Sequence, residues 1–292
     1  MNQSKKKINK GAYLTLPSAG LLLCLTIMPL IMLFIFMFMN RNLFPGQPWP
    51  GWTVGNITRM VGSATFWKLL LKSLGMAALV TACCIVIAYP TAWSIAKYVR
   101  PENRTIFMML VILPFFTSQL LLFYAMINLI RNGGLLMTLL NALHINATSI
   151  MYSNKATILL MVYAYLPYMI LCLYSSVEAI DQNLINASFS LGGGIFRTFV
   201  NVVFPMSVPG LLSGVLLVLV PVTGSFEVAE LVGGSGGIMV GSVINTQYKG
   251  TLNMGYGAVL ACTLLVVLSI IMAVISYITK RAQIKVGGEI DA

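Results

Sequence analysis

Charge is what this sequence has least of. Of its 292 residues 9% are Asp, Glu, Lys or Arg and 58% are hydrophobic, whereas soluble domains carry about a quarter charged residues. A chain so poor in charge cannot clothe a water-facing surface, so a soluble globular protein is excluded and one polytopic membrane domain fits the size. Acidic residues number seven and histidine occurs once, at His144. That leaves no nucleophile–base arrangement for an intramembrane enzyme to use, and His144, without carboxylate or cysteine neighbours, reads as a surface residue and not a ligand. The GxxxxGK[ST] phosphate loop is absent, so the chain cannot bind ATP by that route and must draw energy from a partner or an ion gradient. The five cysteines, Cys24, Cys83, Cys84, Cys172 and Cys262, all fall in apolar stretches without metal-ligand spacing. They read as small packing residues.

What remains is long apolar runs. Hydropathy predicts an all-α membrane protein with six spans, over residues 14–39, 69–96, 106–130, 157–176, 208–231 and 256–278, each long enough to cross about 30 Å of hydrocarbon. A basic tail, 1–13, precedes them and another, 280–292, follows. The first run exceeds the apolar core of a signal peptide and lacks its cleavage site, so it counts as a span. The connector from Asn40 to Phe66 is rich in Gly, Pro and Trp, residues suited to the water–lipid boundary. Its Asn56-Ile57-Thr58 triplet matches a glycosylation acceptor, a match too frequent by chance to count.

The net charge of +11 reads as membrane topology and not as nucleic-acid binding. With the amino end inside and six spans, eleven cationic residues lie on the inner side: Lys5, Lys6, Lys7, Lys10, Lys97, Arg100, Arg104, Arg197, Lys280, Arg281 and Lys285. Seven lie outside, a bias in the direction expected of inner loops. Both termini and the long loop 177–205 are then cytoplasmic.

That loop is the passage around which the rest is organised. Asn186 to Leu191 forms a short amphipathic segment, Gly192-Gly193-Gly194 breaks it, and Ile195, Phe196, Phe199, Val202 and Val203 recur at helical spacing before Pro205 and Pro209 start the next span. A helix–Gly–helix element too short to cross a bilayer and too apolar to float free would lie at the membrane surface, one face offered to a partner. An ordinary interfacial connector has the same local features.

The passage resembles the coupling loop of ABC-importer permeases, whose pattern runs Glu-Ala-Ala, three residues, Gly, and about nine residues to an apolar-x-apolar-Pro ending. The slots here hold Asn186-Ala187-Ser188, Gly192 and Val203-Phe204-Pro205. The family's Glu is Asn186 and the acidic residue two places before the Gly is Ser190, so docking would rest on hydrogen bonds and apolar surface. Pro114-Phe115-Phe116-Thr117-Ser118 leading to Tyr124 is similar to the third-helix signature of the spermidine/putrescine-type branch, with Phe116 in a Trp slot and Leu122 in an Arg slot. Pro221 to Gly234 and the segment around Ile244, Asn245, Gln247 and Tyr248 resemble the same branch.

The resemblance implies a type I ABC-importer permease fold. It implies as partners a homologous permease subunit, two ATP-binding subunits and an external solute-binding protein. ATP and Mg would sit on the ATPase, leaving no cofactor on this chain. It places ATPase coupling on Asn186, Ala187, Ser188, Gly192, Phe196, Arg197 and Pro205. Phe116, Ser118, Gln119, Tyr124 and Asn128 put aromatic, amide and hydroxyl groups in the third span, a face suited to an organic cation or small polar solute if it lines a pathway, and ordinary packing otherwise. Glu227 and Glu230 lie three apart at the outer end of the fifth span; they are either an interfacial pair or a pathway lining that attracts cations. Gly233, Gly234, Gly236, Gly237 and Gly241 would permit a re-entrant outer loop.

The expected activity is import of a small polar solute, polyamine first, with ferric iron, aminoethylphosphonate and opines as related cargoes. A gradient-driven carrier is the alternative, against which stand one chain of six spans and no evident inverted repeat. A membrane anchor would leave the long loop without a use.

Overall fold

The computed structural model describes residues 10–40, 51–142, 151–234 and 236–288; His144 lies outside the described residues. Thirteen α-helices are found among them, and no strand beyond an isolated bridge between Met39 and Trp52. They are α1 (Lys10–Met37), α2 (Gly55–Val61), α3 (Ala64–Trp93), α4 (Pro101–Ile112), α5 (Gln119–Ile130), α6 (Leu135–Ala142), α7 (Asn154–Glu178), α8 (Gln182–Ser190), α9 (Ile195–Thr198), α10 (Phe204–Gly224), α11 (Glu227–Val232), α12 (Val240–Lys249) and α13 (Met254–Gly288). Among the described residues six stretches are long and apolar enough to cross a membrane: Gly20–Met37, Ala64–Tyr98, Gln119–Leu139, Asn154–Glu178, Ile195–Gly224 and Met254–Arg281. Helix dominates for a physical reason, since only a helix satisfies every backbone group within its own segment in lipid.

Contacts divide the chain into two units. The first comprises residues 1–63 and 244–263. Here the Asn56 side-chain amide donates to the Met39 carbonyl at 2.8 Å, tying α2 to the end of α1. The Asn-Ile-Thr triplet thus has a structural use. Arg59 lies 4.5 Å over the Tyr256 ring. The apolar side chains of α1 from Leu21 to Ile31 are exposed.

The second unit comprises residues 64–243 and 264–292. Its core is built by α3, α7 and α10, with α5 and α11 against α7. Val80, Phe123, Leu160, Met161, Met169, Leu173, Val218 and Val222 are all but fully buried. In lipid such association rests on close packing, because the tails are as apolar as leucine. Gly210 and Gly214, four apart on α10, supply it. A Cβ at Gly210 would come within 2.6 Å of the Cys172 carbonyl oxygen, and one at Gly214 within 2.6 Å of the Met169 sulfur. A buried hydrogen bond of 2.9 Å joins the hydroxyls of Tyr89 on α3 and Ser207 on α10.

Two passages read as single spans are broken. Within 106–130 the helix stops at Ile112, a 3-10 turn covers Leu113–Phe116, and Thr117 and Ser118 are extended before α5 resumes. Pro114 has no N–H to give and its ring crowds the carbonyl one turn back, which interrupts the α-helical ladder. Within 208–231, α10 ends at Gly224 and Ser225 is extended, so Glu227 and Glu230 belong to the separate short helix α11. Pro221 has already removed a donor from the last turn of α10, and Gly224 has little tendency to prolong it.

The glycine-rich passage after α11 is held to α3. The Lys72 ammonium donates to the carbonyls of Gly236 and Ile238, and the Val240 amide donates to the Ser73 hydroxyl at 2.8 Å. Gly233 is required there by close approach: a Cβ on it would lie 2.8 Å from the Gly237 Cα.

Candidate functional site

Two groups of predicted residues occupy different ends of the second unit. The first surrounds α8 and α9. Helix α8 starts where the Asp181 carboxylate accepts the Asn183 amide at 2.9 Å, an N-cap. It stops in a complete Schellman arrangement: the Gly193 amide donates to the Ser188 carbonyl at 2.9 Å and the Gly192 amide to that of Phe189 at 3.0 Å. Gly192 has φ +79°, a left-handed conformation costly for any side chain. A Cβ on Gly193 would meet the Ser188 oxygen at 2.7 Å, while Gly194 has open space. Of the three consecutive glycines, the first turns the chain and the second permits the return. A hydrogen bond of 2.9 Å between the Ser188 and Thr198 hydroxyls then locks α8 to α9.

The hinge has a buried root and an exposed face. Ile185 is buried with Ala96, Val177, Ile180 and Val203, while Leu191 is 87% and Phe196 80% exposed, with Leu184 and Ile195 also exposed. Ala187, Ser188 and Arg197 line a cleft of about 320 Å³ together with Leu184, Leu191 and Asn201. Asn186 is exposed on α8, its Oδ1 3.4 Å from the Gln182 amide. Pro205 follows a π-helical turn, Phe199–Val203, inside a helical stretch running from Ile195 to Gly224, so its missing N–H falls within the helix and not at a free start.

Sequence reasoning passed over Leu184 and Leu191 as part of this face. The available signal was a large apolar residue immediately before a glycine break. It also missed the polar cluster at the root. The Lys97 ammonium donates to the Ile180 carbonyl at 2.5 Å and the Glu178 carbonyl at 3.3 Å, neutralising the negative end of α7. Arg104 approaches the Glu178 carboxylate at 3.6 Å, and the Tyr174 hydroxyl donates to it at 2.7 Å. Helices α3, α4 and α7 are thereby pinned together at the point from which α8 departs.

The second group does not form a single cluster. Phe116 is 86% exposed in the 3-10 turn, and Ser118 occupies the N-cap position of α5 without a side-chain capping bond. Tyr124 and Asn128 are four apart on an exposed stripe of α5. Gln119, by contrast, shares the side of α5 that carries the buried Leu122 and Phe123. It lines a cavity of about 270 Å³ with Phe115, Thr117, Leu122, Ala164 and Tyr168. Glu227 is half-buried at the start of α11. Glu230 is exposed and its amide donates to the Phe226 carbonyl at 2.9 Å. Of the predicted pathway residues the structure thus brings Gln119 to this cavity and leaves Phe116, Ser118, Tyr124, Asn128, Glu227 and Glu230 outside its lining.

Residues 85–283 match the family described as binding-protein-dependent transport system inner membrane component. The spermidine/putrescine transport system permease protein PotB of Escherichia coli K12 is 34% identical over 224 residues, covering 76% of this chain and 81% of that protein. PotB of Haemophilus influenzae is 34% identical over 233 residues, 79% of each chain. The inner membrane ABC transporter permease protein YdcU of E. coli K12 is 27% identical over 237 residues, 77% of this chain and 75% of that one. Among solved structures, a chain of a bacterial alginate ABC transporter in complex with a periplasmic protein bound to alginate pentasaccharide has a similar fold. Its TM-score is 0.76 at 13% identity, over 92% of this chain and 93% of that one. The MetNI methionine ABC transporter in an inward-facing form gives 0.51 at 19% identity, over 75% and 96%.

Proposed function

The chain belongs to the family of binding-protein-dependent transport system inner membrane components, and on that premise we propose that its cargo is a polyamine. It is a permease subunit of an ABC importer, a multi-pass inner-membrane transport component and not an enzyme, with ATP hydrolysed by a separate subunit. The polyamine reading rests on the PotB proteins, 34% identical over most of both chains. It also fits the aromatic rings of Phe115 and Tyr168 and the Gln119 amide that line one cavity.

The assembly we infer is a pair of related permease subunits, two ATPases and an extracytoplasmic binding protein. Both termini and the α8–α9 hinge face the cytoplasm, in keeping with the distribution of Lys and Arg. ATP and Mg belong to the ATPase, and this chain binds no cofactor of its own.

The observation that carries the coupling role is an exposed apolar face on a buried root. Leu191 and Phe196 stand out from the hinge while Ile185 and Val203 anchor it beside α7 and α10. An ATPase gripping the exposed side moves α8 and α9 as a unit, because the Ser188–Thr198 hydrogen bond and the glycine turn hold their angle. Lys97 and Ile185 pass that displacement to α3 and α7. The bundle they belong to then switches the pathway between outward and inward access, as a packed core moves between discrete arrangements. Asn186, Ala187, Ser188, Gly192, Phe196, Arg197 and Pro205 serve this docking. The pathway reading of Phe116, Ser118, Gln119, Tyr124, Asn128, Glu227 and Glu230 places Gln119 and Glu227 nearest the cargo and the others along its approach.

The test is reconstitution. The permease pair, the ATPase and the binding protein encoded beside it are placed in liposomes with ATP inside, and radiolabelled putrescine is added outside. ATP-dependent uptake is expected. Uptake driven by a proton or sodium gradient without the ATPase would instead establish a secondary carrier.

A further inference from the structure

The α8–α9 hinge spends most of its polar side chains on itself. The Asp181 carboxylate accepts from the Asn183 amide at 2.9 Å, and the Gln182 side chain donates to that of Asn186 at 3.4 Å. The Ser190 hydroxyl donates to the Asn186 carbonyl at 3.0 Å, and Ser188 and Thr198 bond to each other at 2.9 Å. Glu178, just before the hinge, is engaged by Arg104 and Tyr174. Two polar side chains are left over. Arg197 and Asn201 are exposed, and among the described residues neither side chain has a hydrogen-bond or ionic partner. Both line the same cleft of about 320 Å³, whose apolar walls are Leu184, Leu191 and Val202.

A guanidinium and an amide in one cleft ask for an acceptor of negative charge. Arginine offers a rigid fork of donors and asparagine two more, and a carboxylate accepts from both with bonds stronger than neutral ones. The rest of the hinge does not oppose such a guest, since Arg197 is the only charged residue from Gln182 to Pro205. A lysine or arginine on the arriving surface would meet only another cation, which excludes it by repulsion. The apolar walls suit the methylene stem of a side chain. A volume of about 320 Å³ equals that of about eleven liquid waters, room for one acidic side chain and an apolar neighbour. Leu184 and Leu191, exposed at the cleft, would be covered in the same contact.

We propose that Arg197 and Asn201 form a carboxylate-binding site by which this chain selects its ATPase. The ATPase that couples to it presents an Asp or Glu, flanked by an apolar side chain, to the cleft between α8 and α9. The carboxylate bonds to Arg197 and Asn201, and the apolar neighbour packs on Leu184 and Leu191. An ATPase with a basic residue at that place is rejected. The site rests on the coupling reading of the hinge and adds to it the chemistry of the surface that the hinge accepts.

The experiment measures binding of the ATPase to the full permease pair in detergent, and solute moved per ATP in liposomes. Arg197→Glu is expected to weaken ATPase binding at least about tenfold, because it sets like charges against each other. Arg197 is exposed, so the substitution leaves the core untouched. Each surface Asp and Glu of the ATPase is then changed to Lys in turn. One such reversal should restore binding to the Arg197→Glu permease and weaken binding to the wild type. Wild-type binding by Arg197→Glu, or a loss that no reversal on the ATPase restores, overturns the site. So does an effect seen only in liposomes containing anionic lipid, with binding in detergent unchanged, since the cleft would then hold a lipid phosphate. Leu191→Cys carrying a photoreactive label tests the coupling reading separately. If it cross-links to the ATPase while Arg197→Glu binds as wild type, only the carboxylate site falls; if it reaches no ATPase, the coupling reading falls and the site with it.

Discussion

Replacing Gly192 by valine should separate ATP hydrolysis from transport. Gly192 has φ +79° with no atom within 4 Å of where a Cβ would lie, so the penalty is one of backbone conformation and not of collision. A side chain in the left-handed region costs about 1–2 kcal/mol, and more for a β-branched residue. A penalty of that size shifts a two-state equilibrium by about 5–30-fold. The equilibrium at stake is the angle between α8 and α9, which the Gly192 and Gly193 amides hold through their bonds to Phe189 and Ser188. With valine the turn opens, the Ser188–Thr198 hydrogen bond is lost, and the exposed face formed by Leu191 and Phe196 no longer presents one surface to the ATPase. The assay is the number of solutes moved per ATP hydrolysed in liposomes, expected to fall at least about fivefold. Gly194→Ala is the control, because Gly194 has φ −73° and open space around it. If Gly192→Val and Gly194→Ala couple equally well, the hinge is not the coupling element.

The close crossing of α7 and α10 predicts that Gly210→Ala lowers thermal stability in detergent, with an overpacking cost of about 1–3 kcal/mol. The new methyl would press on the Cys172 carbonyl, whereas Gly75→Ala, with nothing within 4 Å, should leave the melting temperature unchanged or raised. Lys97→Met removes the donor to the Ile180 and Glu178 carbonyls and should cost about 1 kcal/mol of helix-end stabilisation. The complex should still assemble but move less solute per ATP, and Lys97→Arg should retain most of the coupling; an unchanged ratio in Lys97→Met would remove that residue from the transmission route.

Much of the hinge was legible from the residues alone. Glycine at 192 after an amphipathic segment encodes a stop and a turn through local rules of φ, but Pro205 and Pro209 do not start the next span: helical backbone resumes at Ile195 and runs through both to Gly224. The membrane-facing half of the site was less legible. Phe116, Tyr124 and Asn128 look like Gln119 in composition, yet Phe116 points away while Gln119 lines a cavity. Phe115 and Tyr168, which line that cavity with it, carry no local mark distinguishing them from packing aromatics. Glu227 and Glu230 read as one face of one span, but the break at Ser225 puts them on α11 with different burial.

Hydropathy alone determined that the chain is helical and crosses the membrane several times, because lipid offers no partner for a backbone group and each segment must satisfy its own. It could not determine which side of each helix meets another helix. In a bundle where nearly every face is apolar, lateral order comes from shape, such as the absence of side chains at Gly210 and Gly214 that admits α7, and not from a contrast between oily and wet faces. Only the folded chain therefore decided that Phe115 before α5 and Tyr168 on α7, far apart in sequence, meet ring to ring beside Gln119.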